Sequence, residues 1–339
     1  MTNKNKSIFA LFSIFLFISV CWVPAITGHN DIPTYKSRSD QNTNIFKDNK
    51  TEYYAVIAAC SEYENRRNNI PKFPFPSISE KKLTLLYSSL LLSSNWKEEN
   101  IILLINEDAT YDNITKALDE MSTKVTENDI FLFQWQGHGS EVPDNDNDEY
   151  DGTDEIICPY DLNMNQSIYL TDDNLNYYFS NINSKAQIII VESCLSGGLV
   201  NGQNDIDKEN RIIILSTFEN TLGRALYLTG FPLNFALAVS SNQQLSNIIK
   251  DENNTNNFIS IQECFKTAEY LAYGQYSIFW IFLFIQCFSD TKSVSDAVIS
   301  MIYSFCLIES VSFLISGHIM LNHPQIIDNY GVELPFIKI

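Results

Sequence analysis

Apolar residues along this chain come in short blocks rather than in strict alternation. Five blocks are rich in β-branched and aromatic residues: YYAVIAA (53–59), NIILLIN (100–106), DIFLFQW (129–135), AQIIIVES (186–193) and RIIILST (211–217). Continuous runs of this length suit strands buried on both faces. Between them, SEKKLTLLYSSLLLSS (79–94) sets Leu83, Leu86, Leu90 and Leu91 at helical spacing behind Ser79 as N-cap. TYDNITKALDEMSTKV (110–125) predicts a second helix. Strands separated by helices predict an α/β fold, a mostly parallel sheet flanked by helices, with ligands bound beyond the carboxyl ends of the strands.

The two ends of the chain read differently. Lys4 and Lys6 precede an apolar run from Ile8 to Val23, with small residues near Ala25 and Gly28. That layout predicts a secretory signal peptide over residues 1–28, with an uncleaved membrane anchor as the alternative, and hence a secreted or extracytoplasmic protein. Residues 29–52 are polar and punctuated, a linker leading to a catalytic domain over 53–250. Beyond 250, QYSIFWIFLFIQCF (275–288) and DAVISMIYSFCLIESVSFLISGHIML (296–321) are nearly all apolar. The first is too short to span a bilayer and the second carries Glu309. Residues 251–339 are therefore expected to form an apolar helical C-terminal region that packs on the domain or extends it, with membrane contact as the alternative.

Composition narrows the partners. At 339 residues and 45% hydrophobic, the chain can bury a sizeable core, and a formal charge of −19 argues against nucleic acid as a partner. Removing residues 1–28 takes away two lysines and no acids, so the remainder is more acidic still. The charge suits a cationic substrate or metal ions. Sequons at Asn49, Asn113, Asn165 and Asn253 are compatible with export. Of seven cysteines, Cys21 lies in the signal segment; the other six show no CxxC pair, which speaks against structural zinc.

Two strand ends carry the chemistry. His138 stands three residues past Trp135, between Gly137 and Gly139, and Cys194 follows directly after the fourth run in VESCLSGG. Both are delivered to one edge of the sheet. A thiol becomes a strong nucleophile as its thiolate, which an adjacent imidazole generates. Gly197 and Gly198 would let the backbone turn sharply and a substrate carbonyl approach. The N–H groups of Gly139 and Cys194 are candidates for an oxyanion hole.

The string GHGSEVPDNDNDEYDGTDEIICPYD, followed after a gap by VESCLSGG, resembles the caspase-like cysteine peptidases of clan CD, most closely the metacaspases and their prokaryotic relatives. The resemblance spans roughly residues 53–230 and implies a caspase-like α/β sandwich. It implies His138 as general base and acid, Cys194 as nucleophile, and Gly139 as an oxyanion donor. Glu192 would lie in the S1 pocket, where the family usually has Asp, with Gln136 beside it where the family commonly has Ser. Leu195 replaces a frequent His. Such enzymes cut after Arg or Lys, and a carboxylate in S1 would pair with that cation.

The resemblance also implies Ca²⁺. LTDDNL is similar to the family's calcium-binding acidic pair, which makes Asp172 and Asp173 candidate ligands, joined by one or more of Asp148, Asp151 and Asp154. Hard oxygen donors favour Ca²⁺ over transition metals. ENNTNNFISIQE (252–263) matches the spacing of an EF-hand loop, with Glu252, Asn254, Asn256 and Glu263 as ligands, or else caps a helix starting near Ser260. The polar stretch VNGQNDIDKENR (200–211) is expected to be an exposed linker, with Lys208 the candidate for self-cleavage.

These observations predict an exported, calcium-dependent cysteine endopeptidase acting on peptide or protein substrates. The alternatives are a catalytically silent caspase-like domain that binds partners through calcium, and a membrane-associated scaffold.

Overall fold

Each of the five apolar runs forms a strand of one sheet; four are buried almost throughout, while IILLI (101–105), at the sheet edge, is half-buried along its length. A computed structural model describes residues 51–70, 83–219, 221–222, 235, 239, 258–268, 319–320 and 325–338. In chain order the strands are β1 (Tyr53–Ala59), β2 (Ile101–Ile105), β3 (Ile130–Gln136), β4 (Gly139–Pro143), β5 (Thr153–Ile157), β6 (Leu170–Thr171), β7 (Ala186–Glu192) and β8 (Arg211–Leu215). Short strands follow: β9 (Thr221–Leu222), β10 (Phe258–Ser260), β11 (Ile319–Met320), β12 (Gln325–Asp328) and β13 (Pro335–Lys338). The main sheet runs β12-β8-β7-β3-β1-β2, parallel throughout except for β12, which pairs antiparallel with β8. β4, β5 and β6 form a separate antiparallel sheet.

Side chains alternate between the two faces of the main sheet, and each face has its own core. Val56, Phe133 and Val191 pack with Ile114, Leu118 and Met121 of α2 (Tyr111–Lys124) and with Leu175 and Phe179 of α3 (Asp172–Ser180). Ile57, Leu132 and Ile190 face the other way, onto Leu86 and Leu90 of α1 (Leu85–Leu90), Phe265 and Phe336. The chain thus builds a helix-covered, mostly parallel sheet, as the block pattern predicts. Helix α2 starts where the sequence places it: the Thr110 hydroxyl accepts the Asn113 N–H, a cap that contributes about 1 kcal/mol. The predicted N-cap Ser79, the signal segment, the linker up to residue 50 and both long apolar runs lie outside the described residues.

The C-terminal expectation needs correcting. Residues 325–338 are not helical; they supply β12 to the edge of the main sheet and β13 as the partner of β10. An edge strand such as β8 presents unpaired N–H and C=O groups, and the β-branched run QIID satisfies them. Among the described residues, those past 250 thus extend the domain by strands as well as by the helix over 261–268. Among the described residues no helix is long and apolar enough to cross a membrane.

Candidate active site

The site is set by register. β3 and β7 pair in parallel, with Gln136 opposite Glu192 as the last pair. The Gly137 N–H still reaches the Glu192 carbonyl at 3.2 Å. Two residues beyond each paired position come His138 and Cys194, so the two strands bring both residues to the same edge of the sheet. Gly139 shows how closely they approach: a Cβ there would lie 2.4 Å from the Cys194 carbonyl oxygen and 2.7 Å from the Ser193 hydroxyl. Only glycine fits.

His138 is held at nearly every polar atom. Its N–H donates to the Tyr63 hydroxyl at 2.8 Å, and its carbonyl accepts from the Cys158 N–H at 3.1 Å and from Trp135 Nε1 at 3.2 Å. Its Nε2–H donates to the backbone carbonyl of Asn68 at 2.8 Å. A carbonyl can only accept, so Nε2 carries the proton and Nδ1 is left basic. Burial lowers the pKa of His138 below its ordinary value, the Asn68 bond opposing this only in part. The ring is neutral at pH 7 and able to take a proton.

Cys194 is a partly exposed thiol, whereas Cys60, Cys158 and Cys264 are buried thiols. Burial pushes Cys60 and Cys158 up to about 12, which leaves both inert at neutral pH. The turn that presents Cys194 is made by Leu195, buried and in the left-handed region at φ 58°. The two glycines serve otherwise than predicted. Gly197 lies against the backbone of Phe218 and Glu219, and Gly198 against the carboxyl of Glu155, where a Cβ would come within 2.0 Å of Cδ. Both admit protein rather than substrate.

The oxyanion expectation has a local basis. Because the Cys158 N–H reaches the His138 carbonyl, Gly139 and Ile157 form a non-hydrogen-bonded pair of the β4–β5 ladder. The Gly139 N–H therefore faces out of the ladder. Glu192 and Gln136 are both buried and share the face of Ile190 and Leu132. Gln134 lies on that face too, and the side-chain oxygens of Gln134 and Gln136 meet no donor among the described residues. An apolar face thus ends in a polar mouth at the strand termini.

A second assembly is acidic. Asp144, Asp148 and Asp154 place carboxylate oxygens within 4.8 Å of one another, as do Asp146, Asp148 and Asp173, and Asp148, Glu149 and Asp205. Burial and neighbouring carboxylates push Glu149 and Glu155 up to about 9, Asp172 to about 8 and Asp154 to about 6. Asp144 goes the other way: hydrogen bonds from Asn147, Glu149 and Asp146 N–H groups outweigh its burial and hold it low. Buried oxygens of Glu149, Asp154 and Glu155 meet no hydrogen-bond donor among the described residues. An all-oxygen set with unsatisfied buried acceptors fits a hard divalent cation such as Ca²⁺.

Four of the five metal candidates read from sequence lie in or beside this assembly. Asp172 is buried at its rim and accepts the Glu155 N–H at 3.1 Å. Asp151 belongs to none of the three groups: it accepts the Thr153 N–H in a surface turn, and its charge adds to the upward push on Glu155. Glu149 and Asp205 were not read as ligands. Asp205 comes from the 200–211 stretch, which is less open than expected: Asp205, Ile206 and Arg211 are all buried, while Lys208 is partly exposed with Nζ on the Gln203 carbonyl. In the EF-hand candidate, residues 252–257 lie outside the described set. Glu263 accepts the Ser260 N–H at 2.8 Å and returns its own N–H to the Ser260 hydroxyl, a capping box for the helix over 261–268.

A thiol and a neutral imidazole at adjacent parallel strand ends, beside a glycine N–H turned out of its ladder, make the constellation of a cysteine hydrolase. Comparison with known proteins finds similarity over part of the chain. Residues 84–202 match the family model "Metacaspase, peptidase C14 domain". Metacaspase-7 of Arabidopsis thaliana is 33% identical over 147 residues, 40% of this chain and 35% of that protein. Metacaspase-4 of the same plant is 30% identical over 122 residues, 34% of this chain and 28% of its own length. The chain spans about a third of these curated relatives. Among solved structures, that of pro-sf-caspase-1 is 11% identical at a TM-score of 0.42, covering 88% of this chain and all of the other. Residues 84–202 are thus similar to the peptidase C14 domain of metacaspases.

Proposed function

We propose that the chain is a cysteine endopeptidase in which His138 and Cys194 work as a dyad. The observation that carries this is the Nε2–H bond from His138 to the Asn68 carbonyl, which leaves Nδ1 basic on the ring next to Cys194. Nδ1 takes the thiol proton as sulfur attacks the scissile carbonyl, and the negative oxygen settles on the N–H groups of Gly139 and Cys194. His138 then gives its proton to the departing amine, leaving a thioester on Cys194. Water, deprotonated by the same ring, cleaves the thioester and regenerates the thiol.

Glu192, buried at the end of β7 beside Gln136, selects a substrate with Arg or Lys before the cut. Ca²⁺ would be held by Asp148, Glu149, Asp154, Asp172, Asp173 and Asp205, where it would supply positive charge to a crowded group of carboxylates. Lys208 is where the enzyme cuts its own chain, after local opening of the tethered 200–211 stretch. Residues 1–28 direct export.

The test is a fluorogenic peptide library with every residue type before the cut, assayed with and without millimolar Ca²⁺, against Cys194→Ala. Cleavage after Arg or Lys that needs both Cys194 and Ca²⁺ is the expected result. A folded, Ca²⁺-binding sample with no turnover on any peptide would instead favour a silent binding domain.

A further inference from the structure

Tyr63 takes no part in the chemistry proposed above, yet it is fitted closely around the catalytic histidine. It lies in the turn after β1 and is only 2% exposed. Its hydroxyl oxygen accepts the His138 N–H at 2.8 Å, and its ring centroid lies 5.0 Å from the imidazole at an interplanar angle of 31°. The hydroxyl in turn donates to the Cys60 carbonyl at 3.5 Å, and the Tyr63 N–H donates to Asn69 Oδ1 at 2.7 Å. That second bond matters because Asn68, next door, offers the carbonyl that holds Nε2. One loop therefore grips His138 at its backbone, its ring face and its ring nitrogen.

The fit is demanding. A Cβ at Gly137 would come within 2.9 Å of the Tyr63 hydroxyl and 2.7 Å of the Trp135 ring. His138 itself stands outside β3 and β4, so its N–H has no ladder partner, and a buried donor left unpaired is costly. Burial also drives the Tyr63 phenol far above its ordinary pKa, so the hydroxyl keeps its proton.

We propose that Tyr63 is the positioning residue of the dyad, fixing the backbone and ring plane of His138 so that the imidazole keeps its Nε2–H, Nδ1-basic form. The catalytic half of this statement rests on the peptidase reading; the structural half does not. Without the hydroxyl, the His138 N–H loses its acceptor, the 60–70 loop loosens, and the Asn68 carbonyl no longer selects one tautomer.

The test uses the full chain and Tyr63→Phe, which keeps the ring and removes the hydroxyl. We expect kcat to fall about tenfold with KM unchanged, the loss of roughly one hydrogen bond's worth of organisation. Ring ¹⁵N spectra should show one tautomer for His138 in the unaltered chain and a mixture in Y63F. Hydrogen exchange on the unaltered chain supplies a readout that needs no variant: the His138 amide should be strongly protected. Unchanged kcat with an unchanged tautomer in Y63F, or a His138 amide exchanging as fast as an open loop, would overturn the proposal. Absence of turnover in the unaltered chain would count against the peptidase reading alone, because the spectra and the exchange rate do not depend on it.

Discussion

Gln136 and Glu192 are the last register pair between β3 and β7, and His138 and Cys194 follow them at equal offsets. The pairing of two strands, not the conformation of a long loop, therefore sets where thiol and imidazole meet. A glycine inserted between Glu192 and Ser193 leaves every sheet hydrogen bond intact but moves Cys194 one position along. Activity should drop roughly a thousandfold, since misplacing one member of a dyad forfeits most of its contribution. A kinetic assay alongside a thermal melt checks this; a variant that melts normally and still turns over would refute it.

The pH dependence follows from His138. Its pKa in the fold lies below the ordinary 6.5, because charging a buried ring is costly. The acid limb of kcat/KM should therefore fall below pH 6.5. Stability follows the same sign: the unfolded chain binds the proton more readily, so the His138 contribution is present above 6.5 and lost as pH falls through the folded value. His138→Gln should flatten that part of the stability curve, measured by denaturant titration from pH 5 to 8.

Leu195 offers a test of backbone strain. At an ordinary position, Gly is less stable than Ala by about 0.5–1 kcal/mol. Leu195 sits at φ 58°, where a side chain itself costs about 1 kcal/mol. Both Leu195→Ala and Leu195→Gly lose buried contacts, but the glycine variant should be the more stable of the two. Equal or reversed melting points would remove the strain argument.

Gly139 is constrained by space rather than by φ. An added methyl would strike the Cys194 backbone carbonyl at 2.4 Å and crowd the Ser193 side chain at 2.7 Å. Gly139→Ala should cut kcat/KM about a hundredfold, on the scale of losing one oxyanion donor. Gly152→Ala, at the open tip of the acidic loop, meets nothing within 4 Å and should leave activity near normal despite its positive φ.

For the cation, Asp205 and Asp151 make opposite predictions. Ca²⁺ at millimolar concentration should raise the melting temperature of the unaltered chain by mass action. Asp205→Ala should weaken binding at least tenfold by calorimetry, because Asp205 stands with Asp148 and Glu149 in one carboxylate group. Asp151→Ala should bind within about twofold of the unaltered chain, because its carboxylate lies outside the three groups and acts on them through charge alone.

What the sequence made legible divides along physical lines. The five main strands are readable because each is a continuous apolar block, and the placement of His138 and Cys194 is readable because both follow the carboxyl ends of paired parallel strands. The grip on His138 is not readable. Asn68 acts through a backbone carbonyl, which any residue would supply, and Tyr63 acts through a turn whose path no periodicity encodes. Asp205 was missed because its stretch looks like an exposed polar linker, and only the fold shows Ile206 buried beside it. The glycines after Cys194 suggested a tight turn, yet Leu195 adopts the left-handed conformation and the glycines instead admit neighbouring groups. β12 was hidden among apolar runs that read as helix.

That last strand has a consequence for how the protein comes into being. β12 joins the sheet at β8, although it is synthesised long after β3, β7 and the two residues that follow them, His138 and Cys194. A ribosome-bound chain therefore holds His138 and Cys194 before it can close the neighbouring flank of the sheet, and β8 must wait with its backbone groups bare. During that interval the emerging chain carries a raw edge that another strand could occupy, and the arrival of QIID ends the exposure.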